Sequence, residues 1–193
     1  MPVSLILAST SRYRAELLRR LNISFEQIAP DCDESPFDNE PAAVLVERLA
    51  IEKAVSVAKL YPQKIVIGSD QVAWCGGQII GKPGDHTTAV NQLSFLSGKS
   101  VEFHTGLCVM QAQTDRRLHS VVTTTVAFKS LSADQIERYL RTDQPYDCAA
   151  SFRSEGYGSA IADYISSDDP SALIGLPVIT VANYLSQLGI PMP

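Results

Sequence analysis

Little in this 193-residue chain points to disulfide, zinc or membrane chemistry. The cysteines number only four, Cys32, Cys75, Cys108 and Cys148, scattered without a C-x-x-C pair. That is neither a zinc spacing nor a disulfide framework for a chain of this size, so they read as reduced, mostly buried thiols. Three histidines, His86, His104 and His119, form no close pair of the H-E-x-x-H kind. No apolar run approaches the length of a membrane span, and no charged segment leads into a long apolar one. The expectation is a soluble, cytoplasmic protein with no membrane partner. Basic residues are also short: 16 Lys and Arg stand against 21 Asp and Glu, a net charge of −5. A nucleic-acid partner is therefore not expected, and any anionic ligand needs a local basic pocket.

What the chain does have is 45% hydrophobic residues, enough for a real core. One domain over residues 1–193, with room for two lobes, is the default. Strand and helix patterns alternate loosely. A short apolar strand spans Val3 to Ala8, and Leu17, Leu18 and Leu21 follow at helical spacing. An irregular acidic stretch runs from Pro30 to Glu40, then a helix from Pro41 to Leu60 with proline at its first position. Lys64 to Gly68 reads as a strand. Val72 to Trp74 and Gln78 to Ile80 read as a hairpin turned at Gly76-Gly77. A helix from about Thr87 to Leu96 ends at Ser97-Gly98. Val101 to Gln111 and Leu118 to Phe128 form an expected antiparallel pair. Ser132-x-x-Gln135 is a capping box for a helix burying Ile136, Tyr139 and Leu140. A Gly- and Ser-rich segment, Ser151 to Ser159, reads as a functional loop, and a last helix covers Pro177 to Leu188. The sum is an α/β protein with a mixed sheet and flanking helices.

Ser9-Thr10-Ser11-Arg12-Tyr13-Arg14 sits where the first strand opens into the first helix. Unpaired N–H groups and the positive helix end make such a turn an anion cradle, and Arg12 and Arg14 add donors suited to phosphate. An ordinary N-cap with solvated arginines is the plainer reading of the same residues. Lys53 falls on the apolar face made by Val46, Leu49, Ala50, Ala54 and Val57. It either snorkels to solvent or directs its ammonium at a ligand or carboxylate near the core. Asp70 ends the strand Ile65 to Ser69, at the sheet edge where ligands of α/β proteins collect, with Gln71 on the same rim; capping the next turn is its plainer role. Gly76-x-x-x-x-Gly81-Lys82 mimics a P-loop, but Pro83 replaces the metal-ligating hydroxyl and Ile79-Ile80 reads as strand. Lys82 stays as a phosphate contact. Arg14, Lys53 and Lys82 are thus phosphate candidates, and Asp33, Glu34 and Asp70 could hold a metal or a water.

On Ser9-Thr10-Ser11-Arg12-Tyr13-Arg14, Asp33-Glu34, Glu52-Lys53-Ala54, Ser69-Asp70-Gln71-Val72, Gly81-Lys82-Pro83 and Ser97-Gly98, the chain resembles the Maf family of nucleoside triphosphate pyrophosphatases along nearly its whole length. The resemblance implies hydrolysis of a nucleoside triphosphate to monophosphate and pyrophosphate with a divalent cation, Mg²⁺ or Mn²⁺. It implies a mixed, twisted sheet with flanking helices, two lobes and a central cleft, like the inosine triphosphate pyrophosphatases (a Maf/Ham1-like fold). Asp70 matches the catalytic acceptor, with Glu34 beside it at the metal. Ser9, Ser11, Arg14, Lys53 and Lys82 match the phosphate-binding positions. Relatives commonly dimerise, so a homodimer is the matching expectation.

Within the family, Tyr13, Gln71 and Glu155 resemble the branch acting on 7-methylguanosine triphosphate. A methylated N7 makes the base cationic, so an aromatic ring such as Tyr13 attracts its face and a carboxylate such as Glu155 accepts from its N1–H and amine. Tryptophan is expected at position 13 in near relatives, and tyrosine is the weaker platform. A dTTP/UTP pyrophosphatase and a non-catalytic regulator of cell division acting by binding are the alternative readings.

Overall fold

The computed structural model describes residues 5–192. The strand expected from Val3 is observed as β1, Leu5–Ala8; Val3 and Ser4 lie outside the described residues. There follow α1 (Arg12–Arg19), β2 (Phe25–Ile28), α2 (Ala42–Ala58), β3 (Ile65–Cys75) and β4 (Gln78–Ile80). Then come α3 (His86–Leu96), β5 (Ser100–Gln111), β6 (Arg116–Phe128), α4 (Ala133–Asp143), β7 (Ala162–Ser167) and α5 (Val178–Gln187). The sheet order is β2-β1-β3-β5-β6-β7, with β4 hydrogen-bonded to β3. β1 pairs parallel with β2 and β3, while β3–β4 and β6–β7 are antiparallel. The sheet is mixed, as expected. Residues 112–115 alone connect β5 to β6, too short for the crossover a parallel pair needs, so these neighbours run antiparallel.

The chain forms two compact units: residues 1–70, 105–122 and 169–193 in one, 71–104 and 123–168 in the other. The first is layered by the alternation of β1. Leu5 and Leu7 face a cluster with Leu17 and Leu18 of α1 and Val181 and Leu185 of α5. Ile6 and Ala8 face the opposite way, onto Ala50, Ala54 and Val57 of α2. Helix α2 comes down onto bare backbone. A Cβ on Gly68 would overlap the Ala50 carbonyl and lie 2.7 Å from the Ala54 nitrogen, and one on Gly106 would overlap the Val46 carbonyl. Glycine at both positions is what allows that approach.

In the second unit, Gly76 (φ 60°) and Gly77 (φ 85°) make the tight turn between β3 and β4. Asp85 caps α3 and the Ser132–Gln135 capping box opens α4 as expected. Phe152 packs against Phe103 and Phe128, with ring centroids 5.9 and 5.1 Å apart.

Two sequence expectations are corrected, and two strands have no counterpart in the sequence reading. Pro41 is the N-cap of α2, with an extended backbone, not its first residue. β2 and β7 carry no period-two apolar pattern, Phe25-Glu26-Gln27-Ile28 in one and Ala162 to Ser167 in the other. The strand holding Asp70 does not end at Ser69; pairing with β4 carries it to Cys75.

Candidate functional site

The parallel β1–β3 ladder ends at Ala8 opposite Gly68. Ser9 follows that end directly and Asp70 comes two residues past it, so Asp70 stands where the parallel ladder stops, inside β3 and not at its carboxyl end. Ser11 is the N-cap of α1, its hydroxyl accepting from the Arg14 backbone N–H at 3.3 Å. Ser9 is buried and its Oγ accepts from the Ser11 N–H at 3.1 Å. The Arg14 guanidinium donates from Nε to the Gly175 carbonyl at 2.9 Å and from Nη1 to Ser9 Oγ at 3.4 Å. The capping reading of this turn is therefore the one observed, with the Arg14 guanidinium folded back over Ser9.

Lys53 resolves in favour of carboxylates. Its Nζ lies 2.7 Å from Asp70 Oδ1 and 2.9 Å from Glu34 Oε2. The Lys53 and Asp70 side chains are 6% and 10% exposed, while Glu34 is 60% exposed. One ammonium therefore ties a buried carboxylate of β3 to a solvent-facing one from the acidic loop. Burial lowers the pKa of Arg14, and the charges of Asp70 and Glu34 oppose the shift, placing all these groups in one electrostatic neighbourhood.

Ser9, Ser11, Arg14, Glu34, Lys53 and Asp70 are accordingly brought together within the first unit. Asp33 is not; its Oδ1 accepts from the Ser35 N–H at 2.9 Å in a local turn, and the Ser35 hydroxyl and then that N–H lower its pKa. Among the described residues no group of three or more His, Cys, Asp and Glu side chains could hold a metal. Two carboxylates are the donors at hand, and each spends one oxygen on Lys53. Mg²⁺ sites typically combine one or two carboxylates with substrate phosphates and water, so this donor set fits such an ion.

Tyr13 carries a cation of its own: the Arg12 guanidinium lies 4.8 Å from its ring centroid and donates to its hydroxyl at 2.8 Å. Gln71, Lys82 and Glu155 belong to the second unit. Lys82 is exposed and forms no ion pair among the described residues. Glu155 Oε1 lies 3.5 Å from Arg153 Nε, and the Ser154 hydroxyl donates to Oε2 at 3.3 Å.

Two supporting elements escaped sequence reasoning. Gly175 offers its carbonyl to Arg14 and, at 3.0 Å, to the buried Ser69 hydroxyl. The turn that presents it is organised by buried Asp169, which accepts from the Ser171 hydroxyl and the Thr180 N–H. The Asp169-Pro170-Ser171 sequence was the available signal. In the second unit, Ala150 (φ 56°) and Ser151 (φ 53°) are consecutive left-handed residues without glycine. The Gly81 carbonyl accepts from the Ala150 N–H at 3.1 Å, and the Ser151 hydroxyl donates to Gln92 at 2.6 Å. The buried Tyr139 hydroxyl donates to the Ser151 carbonyl at 3.0 Å and accepts from the Arg153 N–H at 2.9 Å. Tyr139→Phe strands both backbone groups and should cost about 1–3 kcal/mol in a urea titration. An unchanged midpoint would mean that the strained turn holds without this bridge.

A family model described as Maf-like protein matches residues 4–188. The chain belongs to the Maf family. It is 48% identical over 191 residues to the 7-methyl-GTP pyrophosphatase of Nitrosococcus oceani, covering 99% of this chain and 96% of that one. It is 50% identical over 188 residues to the protein of that name from Pseudoalteromonas atlantica, covering 97% and 96%. Among solved structures, that of the Staphylococcus aureus Ham1 protein aligns with a TM-score of 0.47 at 14% identity, over 66% of this chain and 72% of that one. No helix among the described residues is long and apolar enough to cross a membrane.

Proposed function

We propose that this Maf protein is a cytoplasmic, single-domain nucleoside triphosphate pyrophosphatase over residues 1–193, acting as a homodimer, that hydrolyses 7-methyl-GTP to 7-methyl-GMP and pyrophosphate. The observation that carries the reading is the Lys53 ammonium held between Asp70 and Glu34 beside Arg14. The names borne by the relatives choose the reaction for that chemistry.

Asp70 orients and deprotonates the water that attacks at the α–β linkage, its position fixed by the buried ion pair. Ser9 and Ser11 present the α1 terminus to phosphate oxygens, and Arg14, Lys53 and Lys82 answer the charge that grows on the departing pyrophosphate. Asp70 and Glu34 are the residues that would hold Mg²⁺ or Mn²⁺, which neutralises phosphate oxygens when bound. Glu155 and Gln71 read the purine edge, and the Tyr13 ring receives the cationic base, at the cost of sharing the ring with Arg12.

The test is pyrophosphate release from 7-methyl-GTP, GTP, dTTP and UTP with Mg²⁺ or Mn²⁺. The expected result is a marked preference for 7-methyl-GTP and no turnover in chelator. Preference for dTTP or UTP overturns the selectivity roles of Tyr13, Gln71 and Glu155 but keeps the reaction. Release from none of them overturns the reaction.

A further inference from the structure

The loop between β2 and α2 has almost no backbone bonding of its own; only the Glu40 N–H to the Phe37 carbonyl closes a turn in it. Its path is set by side chains of α2, met in reverse order along the helix. The Asp31 N–H donates to Ser56 Oγ at 3.3 Å, Glu34 meets Lys53, and residues 35–40 meet Arg48. The last of these contacts is the densest. Arg48 grips Glu40 with both arms of its fork, Nε to Oε1 and Nη2 to Oε2, each at 2.7 Å. Nη2 also donates to the Ser35 carbonyl at 3.1 Å, Nη1 donates to Glu52 at 3.1 Å, and the guanidinium lies 4.0 Å from the Phe37 ring centroid. Glu40 in turn accepts from the Phe37 N–H at 3.0 Å, and its side chain is only 5% exposed.

We infer that Arg48 is a positioning residue for the reaction: by anchoring residues 35–40 it holds Glu34 over Lys53 and Asp70. Glu34 is exposed, and N-terminal to it the loop meets α2 through the single neutral hydrogen bond of Asp31 to Ser56, so the ion pair to Lys53 alone would be a surface contact of little worth. The part-buried fork to Glu40, one residue before the helix cap, gives the acidic loop a fixed attachment to α2. This leaves the Lys53–Glu34 contact exchangeable when phosphate arrives, while the loop itself stays in place.

The inference rests on the site proposed above, and its test separates the two. Arg48→Lys keeps the charge but loses the fork and its second donor direction. In the wild-type background it should lower kcat/KM for 7-methyl-GTP about tenfold, through misplacement of Glu34. In a Glu34→Gln background the same substitution should cost less than about twofold, because the group it positions is already neutral. Hydrogen exchange of the amides of residues 31–40 should quicken in Arg48→Lys while that of 42–58 stays unchanged. An equal cost in both backgrounds, no cost in either, or unchanged exchange in the loop overturns the inference. Where no rate is measurable, because Glu34→Gln is inactive or the chain turns over no nucleotide, exchange alone decides it. In the latter case the reaction falls separately.

Discussion

Replacing Asp70 by asparagine lowers kcat for 7-methyl-GTP by about a thousandfold, the size of a lost general base. Asparagine keeps the shape of the side chain and an oxygen that accepts from Lys53 where Oδ1 stood at 2.7 Å. It removes the charge and the proton acceptor. Lys53 retains Glu34 at 2.9 Å, so the fold loses only the difference between a charge-assisted and a neutral hydrogen bond, about 1 kcal/mol. Steady-state pyrophosphate release and thermal unfolding of the same sample check both halves. A variant retaining a tenth or more of the wild-type rate would remove Asp70 from the chemistry.

Lys53→Met has the opposite profile and strikes stability as hard as activity. Methionine replaces the lysine stem but leaves the Asp70 carboxylate, 10% exposed, without its cation. Removing one member of a buried pair costs about 3–5 kcal/mol. Adding Asp70→Asn to Lys53→Met should recover most of that loss, because no charge is then left uncompensated. Urea unfolding of the single and double variants measures it. A double variant as unstable as Lys53→Met alone would assign the cost to packing around α2 instead of to the orphaned charge.

The residues that carry the site were legible because their chemistry is anomalous where they sit. A lysine on an apolar helical stripe and an aspartate on a buried strand both ask for partners, and the two prove to be each other's. The α2 face of Val46, Leu49, Ala50, Ala54 and Val57 is buried as its periodicity required. What escaped has a common cause. Ser69-Asp70-Gln71 looked like the end of a strand because polar residues interrupt it. Yet Ser69 is satisfied by the carbonyls of Gly106 and Gly175, 37 and 106 residues away. Arg14 likewise finds its carbonyl 161 residues downstream. Arg48 donates to Glu52, four residues on, and nothing local announces Glu40 behind it. Local pattern reveals a need, but long-range satisfaction has no period to read.

The seat of α2 on Gly68 and Gly106 has a mechanical meaning for the chemistry. Where helix and sheet meet through side chains, repacking can absorb a substitution by tilting or sliding the helix. Here main chain bears on main chain at two points along the helix, beside Val46 and beside Ala50 and Ala54. The elevation of Lys53 above the strand that holds Asp70 is therefore set by hard stops. A single methyl group at position 68 would act like a shim under the helix, parting an ammonium and a carboxylate now 2.7 Å apart. Two hydrogens on glycine thereby set the tolerance to which this ammonium and carboxylate are aligned.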